Sequence, residues 1–241
     1  MKLSIVIPAF NEEKLLPATL DAVAAAAAAL TEHSIEHEVI VCDNNSTDRT
    51  SEIARGHGAQ VIFEPVNQIS RARNTGATAA TGEWLLFLDA DSPPTRELFA
   101  DLAAVLKDNS VLYGGCWLKL DEPHRGVQVF LNCWHFLAKW SRLAAGSFLF
   151  VRREAFETSG GFSTKLFASE EVEFSKRLSR MAKQRKQRFV FLIAHPLVTS
   201  ARKLKFHSGW WHLRFILRTA FTGGRTLRRR ESCGLWYDGK R

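Results

Sequence analysis

Two acidic pairs dominate the chemistry that this sequence offers. Asp89 and Asp91 stand one residue apart at the end of the apolar run Trp84-Leu85-Leu86-Phe87-Leu88, and Glu170-Glu171 follows Ser169 at the head of an amphipathic stretch. Two hard oxygen ligands at the end of a strand suit a divalent cation that carries phosphates. A bland reading stays open for the first pair: Asp is a common turn residue, and D-x-D is a short pattern. The second pair has one as well, since acidic residues stabilise any helix N-terminus through the helix dipole. Adjacent glutamates lie ~100° apart around a helix, so only one can point squarely into a given cleft.

The elements that must position these groups alternate. Leu3-Ser4-Ile5-Val6-Ile7 reads as a first strand stopped by Pro8, and Asn11-Glu12-Glu13 as the turn after it. Leu15, Leu16, Leu20 and Val23 recur at helical spacing and run into the Ala24–Ala29 tract, a strong helix former. Glu38–Cys42 is a second strand ending in Asp43, and the loop Asn44-Asn45-Ser46-Thr47-Asp48 leads to a helix capped near Thr47 or Asp48. Gln60–Phe63 is a third strand, and Arg71–Ala77 opens the helix that returns to the Trp84 strand. Further on, Gly146–Val151 reads as a buried strand, Arg152–Phe156 as a helical turn and Ser159–Phe162 as a tight turn. Ser169 is the expected N-cap of a helix with Phe174, Leu178 and Met181 on its apolar face. Strands alternating with helices predict an α/β fold with a parallel, doubly wound sheet. In such a sheet, ligands sit outside the carboxyl ends of the strands, where Asp43, Asp89 and Asp91 fall.

Composition narrows the alternatives. A 241-residue chain that is 46% hydrophobic can bury a full core. Cys42, Cys116, Cys133 and Cys233 show no C-x-x-C spacing, so reduced thiols in a cytosolic protein are the simpler expectation. No segment reaches the ~18 apolar residues of a membrane span, and the start is too brief for a signal peptide. Residues 202–241 carry eleven Lys/Arg against Glu231 and Asp238, so the net charge of +8 is a property of the C-terminus. Such charge speaks of anionic partners and says nothing about fold. Neither G-x-G-x-x-G nor a P-loop follows the first strand, which leaves a metal as the neutraliser of diphosphate charge.

Four segments together resemble a family 2 glycosyltransferase of the GT-A fold: Ser4–Glu13 (SIVIPAFNEE), Val41–Asp48 (VCDNNSTD), Ala72–Gly76 (ARNTG) and Phe87–Asp91 (FLDAD). The resemblance covers roughly residues 1–180. It implies a single GT-A, Rossmann-like domain over 1–200 with a mostly parallel sheet flanked by helices, followed by a basic, aromatic-rich helical segment over 201–241. It also implies a metal-dependent, inverting hexosyltransferase that moves a sugar from a nucleotide-diphosphate sugar to an acceptor hydroxyl. Pro8, Ala9, Phe10 and Glu12 would line the nucleotide pocket. Asp43 would accept a hydrogen bond from the uracil of a UDP-sugar, and Arg73 would approach the base or phosphates, with Arg71 as its substitute. Asp89 would lie near the ribose beside Ala90, and Asp91, with Asp89, would bind Mn²⁺ or Mg²⁺. In the family the second member of an acidic pair at this helix start is the general base, usually Asp. Here it is the longer Glu171, with Glu170 in reserve. Arg202, in Ser200-Ala201-Arg202-Lys203, resembles an arginine that lies near the donor diphosphate or the acceptor.

Two aromatic stretches remain. Val127–Trp140 is expected as core, with the acceptor cleft as the alternative. Trp210, Trp211, Leu213, Phe215, Ile216, Leu217 and Phe221 interleave with cations before Arg228-Arg229-Arg230. They suit either a helix on an anionic membrane surface or one packed on the domain. The acceptor is accordingly expected to be lipid-linked or a small molecule, and the location cytoplasmic, with peripheral contact at the inner face of the membrane. No nucleic-acid module accompanies the charge. The competing function is a non-catalytic sugar-nucleotide-binding homologue. A nucleotidyltransferase is disfavoured because its Gly-rich loop with a following Arg is missing after the first strand.

Overall fold

The computed structural model describes residues 1–121, 136–200, 225–228 and 230–233. Arg202, residues 127–135 of the first aromatic stretch and the aromatic positions 210–221 lie outside the described residues. Seven strands form one sheet in the order β3-β2-β1-β4-β6-β5-β7. They are β1 (Lys2–Ala9), β2 (Glu36–Asp43), β3 (Gln60–Phe63), β4 (Trp84–Leu88), β5 (Val111–Leu120), β6 (Phe148–Arg152) and β7 (Arg188–Thr199). β1, β2, β3 and β4 pair in parallel, β5 pairs in parallel with β7, and β6 runs antiparallel between β4 and β5. The expected mostly parallel α/β sheet is therefore what forms.

Alternate residues of each central strand feed opposite faces. Leu3, Ile5, Ile7, Trp84, Leu86 and Leu88 join the core with α1 (Leu16–Glu32) and α4 (Arg96–Leu106). Val6, Leu85 and Phe87 join the other, against α3 (Ile69–Thr78), α5 (Arg153–Ser159) and α6 (Glu170–Gln184). The alanine tract of α1 works as a packing surface, since Ala26, Ala27 and Ala29 are buried beside Val23 and Leu30. A short helix, α2 (Thr50–Gly56), connects β2 to β3.

Several sequence expectations need correction. β1 runs through Pro8 because its ladder with β4 ends at Val6, while Ala9 O still accepts from Asn44 N on the β2 side. Pro8, one residue back, faces the edge where no ladder donor is missing. α2 starts at Thr50 rather than near Thr47, and Asp48 contributes by accepting from Thr50 N at 3.0 Å. Ser169 does occupy the N-cap of α6, but at φ 59° and without a side-chain cap bond. The buried strand expected from Gly146 begins at Phe148 and ends at Arg152. β5 and β7 carried no clear strand signal: β5 contains Gly114-Gly115, and β7 is an edge strand with mixed exposure.

Among the described residues no helix is long and apolar enough to cross a membrane. The described part of the C-terminal region comprises two 3₁₀ turns, Arg225–Arg228 and Arg230–Cys233. They dock beside the loop before α6: Phe167 N donates to Leu227 O at 2.7 Å, and Cys233 is buried with Ala168.

Candidate active site

The parallel strands β1, β2, β3 and β4 all end at one edge of the sheet, and β6, running the other way, starts there. This places the segments named from sequence side by side. The loops after β1 and β2 are stitched together first. Asn11, at φ 53°, accepts from Thr47 N through Oδ1 at 2.8 Å and donates its backbone N–H to Ser46 Oγ at 3.0 Å. Glu12 N donates to Thr50 Oγ1 at 2.8 Å, and Glu13 N to Asp48 Oδ2 at 3.1 Å. Ala9 and Glu12 are buried, while Pro8 and Phe10 are partly exposed at the rim. Asp43 is buried, and its oxygens serve the loop and the first turn of α2: Oδ1 accepts from Ser46 N at 2.9 Å and Oδ2 from Ser51 Oγ at 2.5 Å.

α3 explains the Ala72–Gly76 motif. A Cβ on Gly76 would lie 2.6 Å from Val6 Cγ1, so only glycine lets this helix seat closely on β1 and β2. Arg73 and Asn74 then reach across to the other half of the chain. Asn74 clamps the turn before α6, accepting from Phe162 N and donating to Phe162 O, each at 2.9 Å. Arg73 is 2% exposed. It donates through Nη1 to Glu170 Oε1 at 2.6 Å and through Nη2 to Asp89 Oδ1 at 3.1 Å, with its guanidinium 5.2 Å from the Phe162 ring centroid. Burial disfavours the Arg73 charge, yet Glu170 and Asp89 outweigh it and hold the guanidinium above its already high pKa. Arg71 is exposed and takes no part in these ion pairs.

The antiparallel entry of β6 completes the bridge. Leu88 pairs with Phe148, which brings Ser147 beside Asp89, where Ser147 Oγ donates to Asp89 Oδ2 at 3.0 Å. A Cβ on Gly146 would stand 2.5 Å from Arg73 Nη2, so this residue is small because the guanidinium fills the space. Ala90 is pinned from the opposite face, where Thr19 Oγ1 of α1 donates to its carbonyl at 2.8 Å. Asp91 is 5% exposed and next to Ser92, whose Oγ lies 3.3 Å from Asp91 Oδ1 and 2.9 Å from Thr199 Oγ1 at the end of β7.

Glu170 and Glu171 end in different places, as their angular separation requires. Glu170 is buried on Arg73, whereas Glu171 is partly buried beside it. Burial pushes the Glu171 carboxyl above the usual carboxylate range, Glu170 raises it further, and Arg73 only partly offsets them. Such a group is a stronger base than an exposed carboxylate.

The candidate donor set for a cation, as expected from the sequence, is Asp91 with Asp89. Among the described residues no three His, Cys, Asp or Glu side chains converge into a protein-only metal site. Two carboxylates fit an ion whose remaining ligands come from a substrate's phosphates and water, as is usual for Mg²⁺. The described cysteines, Cys42, Cys116 and Cys233, are buried and unpaired, and burial raises the thiols of Cys42 to about 12 and Cys233 to about 11.

Ser147 and Asn74 had no assigned role in the sequence reading. For Asn74 the signal was its polar side chain directly after Arg73 inside a helix. For Ser147 there was none, because its partner lies 58 residues away.

Relatives place this arrangement among known proteins. An uncharacterised glycosyltransferase of Mycobacterium bovis is 42% identical over 112 residues, 46% of this chain and 47% of that protein. The chain thus spans about half the length of the curated relatives it matches. The solved structure of a Pyrobaculum calidifontis mannosyltransferase in complex with GDP-mannose and Mn²⁺ superposes with a TM-score of 0.69 at 22% identity, covering 88% of this chain and 59% of that one. Staphylococcus aureus TarS 1–349 in complex with UDP-GlcNAc gives a TM-score of 0.65 at 22% identity, over 83% of this chain and 58% of that one. The family model described as glycosyl transferase family 2 matches residues 4–160, from β1 through α5, including Arg73, Asp89 and Asp91. Covering well over half of the chain and both halves of the Arg73–Asp89 bridge, that match makes the protein a member of glycosyl transferase family 2.

Proposed function

We propose that this chain transfers a sugar from a nucleotide-diphosphate sugar to an acceptor hydroxyl with inversion, assisted by Mn²⁺ or Mg²⁺, with a UDP-sugar as donor. One observation carries the reading: Arg73 joins Asp89, next to the proposed diphosphate site, to Glu170, next to the proposed base, at the carboxyl edge of the sheet. The relatives that bind UDP-GlcNAc and GDP-mannose support the donor class.

In this reading the loop Pro8–Glu12 and Asp43 form the nucleoside side of the cleft. Asp43, held rigid by Ser46 and Ser51, presents its remaining lone pairs to the uracil edge. Asp89, fixed by Arg73 and Ser147, stands near the ribose and supports Asp91 at the cation. The bound cation supplies Lewis-acid neutralisation of the departing diphosphate. Glu171 accepts the acceptor's hydroxyl proton as the oxygen attacks the anomeric carbon, a contribution of ~10²–10⁴ in rate. Arg73 engages Glu170 in an ion pair, which leaves Glu171 as the base. A single base opposite the leaving group leads to inversion of the anomeric centre. Arg202 is proposed as a further cation at the diphosphate.

Isothermal titration with UDP, GDP and CDP, each with and without Mn²⁺, tests this. The expected result is UDP binding that needs Mn²⁺ and is lost in Asp91→Ala. Absence of binding by any of the three nucleotides sinks the transferase reading and favours the non-catalytic one only if intact nucleotide sugars still bind.

A further inference from the structure

The aromatic stretch expected as core reaches the surface in its described part. Residues 136–141 are helical, and Phe136, Leu137 and Trp140 are 68%, 53% and 80% exposed. Their spacing of one and four residues puts them on one side of the helix, while Ala138 is buried against the domain. Three large apolar side chains on one exposed turn are unusual for a surface facing only water.

The neighbouring element supplies charge. On α6, Lys176, Arg180 and Lys183 are all exposed at helical spacing, opposite the buried Phe174 and Leu178. None of the three forms an ion pair among the described residues. The two elements are locked together: Ala144 N donates to Ser175 Oγ at 3.1 Å, and Tyr113 Oη donates to Arg142 O at 2.7 Å while lying 3.4 Å from Ser175 O. The helix that carries the apolar residues is therefore tied to the helix that carries the cations.

We infer that Phe136, Leu137 and Trp140 insert into the interface of an anionic phospholipid bilayer, with Lys176, Arg180 and Lys183 on its headgroups. Tryptophan and phenylalanine suit that boundary, where an apolar body meets a wet surface, and each cation near an anionic leaflet adds attraction. The same two elements lead into the proposed site. Ser147, five residues beyond Arg142, holds Asp89, and α6 begins with Glu170 and Glu171. Docking thus holds the proposed site close to the membrane, so the acceptor is an amphiphile presented at its surface. This last step rests on the transferase reading; the docking itself does not.

The test is sedimentation of the full chain with vesicles of phosphatidylcholine alone or mixed equally with phosphatidylglycerol. The protein is expected to sediment only with the anionic vesicles, and brominated lipid to quench a tryptophan signal that Trp140→Ser removes. Phe136→Ser/Leu137→Ser/Trp140→Ser should weaken partitioning about tenfold or more. Lys176→Ser/Arg180→Ser/Lys183→Ser should weaken it on the order of a hundredfold at low salt. The inference is overturned if both triple variants bind like the parent, or if only Arg228→Ser/Arg229→Ser/Arg230→Ser loses binding. A dimer that the aromatic variant dissolves, with no vesicle binding, overturns it in favour of self-association. UDP titration without vesicles tests the transferase reading separately.

Discussion

The two acidic pairs look alike in sequence and divide their work in the same way. In each, the first member, Asp89 or Glu170, is held by the buried Arg73 guanidinium, and the second, Asp91 or Glu171, takes no part in those ion pairs. The first members hold the two halves of the cleft in register, and the second members are the proposed cation ligand and base. The pairs differ in charge environment. Asp89 shares its two oxygens between Arg73 and Ser147, whereas Glu171 lies against Glu170, and burial and that neighbour both make its ionisation harder. The end of β4 fixes Asp89 through backbone pairing with the start of β6. A helix start fixes only one of two adjacent residues, because they point ~100° apart.

If the second members carry the chemistry, Glu171→Gln lowers turnover by ~10²–10⁴ while nucleotide binding persists. Steady-state rates set against calorimetric affinity check this, and a Glu171→Gln enzyme that turns over normally would refute the assignment of the base.

The first members should instead govern stability. Arg73→Met leaves the buried Glu170 and the partly buried Asp89 without their guanidinium partner and costs about 3–5 kcal/mol. Urea unfolding measures the loss, and a change below about 1 kcal/mol would mean that the bridge holds nothing together.

Gly146→Ala probes the bridge more gently. The added methyl meets Arg73 Nη2 at 2.5 Å and must displace it, for about 1–3 kcal/mol in the same assay. An unchanged midpoint would show that the guanidinium has room to move.

The smallest effect sharpens the contrast within the second pair. Glu171 has a raised pKa in the folded chain, so the folded state binds more protons than the unfolded one between the ordinary carboxylate value and the raised one. Its contribution to stability is fully present below the ordinary value and is lost as pH rises through the raised one. Thermal midpoints of Glu171→Gln should lack that decline. Glu170→Gln removes a charge that raises Glu171, so the acid limb of its pH–rate profile moves to lower pH. A limb that stays in place while activity collapses would transfer the base role to Glu170.

Most of the fold was legible in local pattern. β1, β2 and β4 announced themselves as apolar runs ending in polar loops, because strands with buried faces need continuous hydrophobicity, and the short edge strand β3 by its Val61-Ile62-Phe63 run. β5 and β7 did not, since Gly114-Gly115 and the mixed exposure of an edge strand blur that signal. The exposure of Phe136, Leu137 and Trp140 was not legible either, because an aromatic stripe has the same composition whether it meets a core or a solvent boundary.

The sequence by itself determined which residue types stand at the carboxyl ends of the strands and at the start of α6, since local periodicity sets where each element begins and stops. Only the tertiary structure decided how they divide their tasks. The antiparallel β6 brought Ser147 to Asp89, and α3 sent Arg73 across 97 residues of chain to Glu170. A buried cation must find its counter-charges wherever packing places them, and that choice is made in space, between residues whose separation along the chain carries no signal.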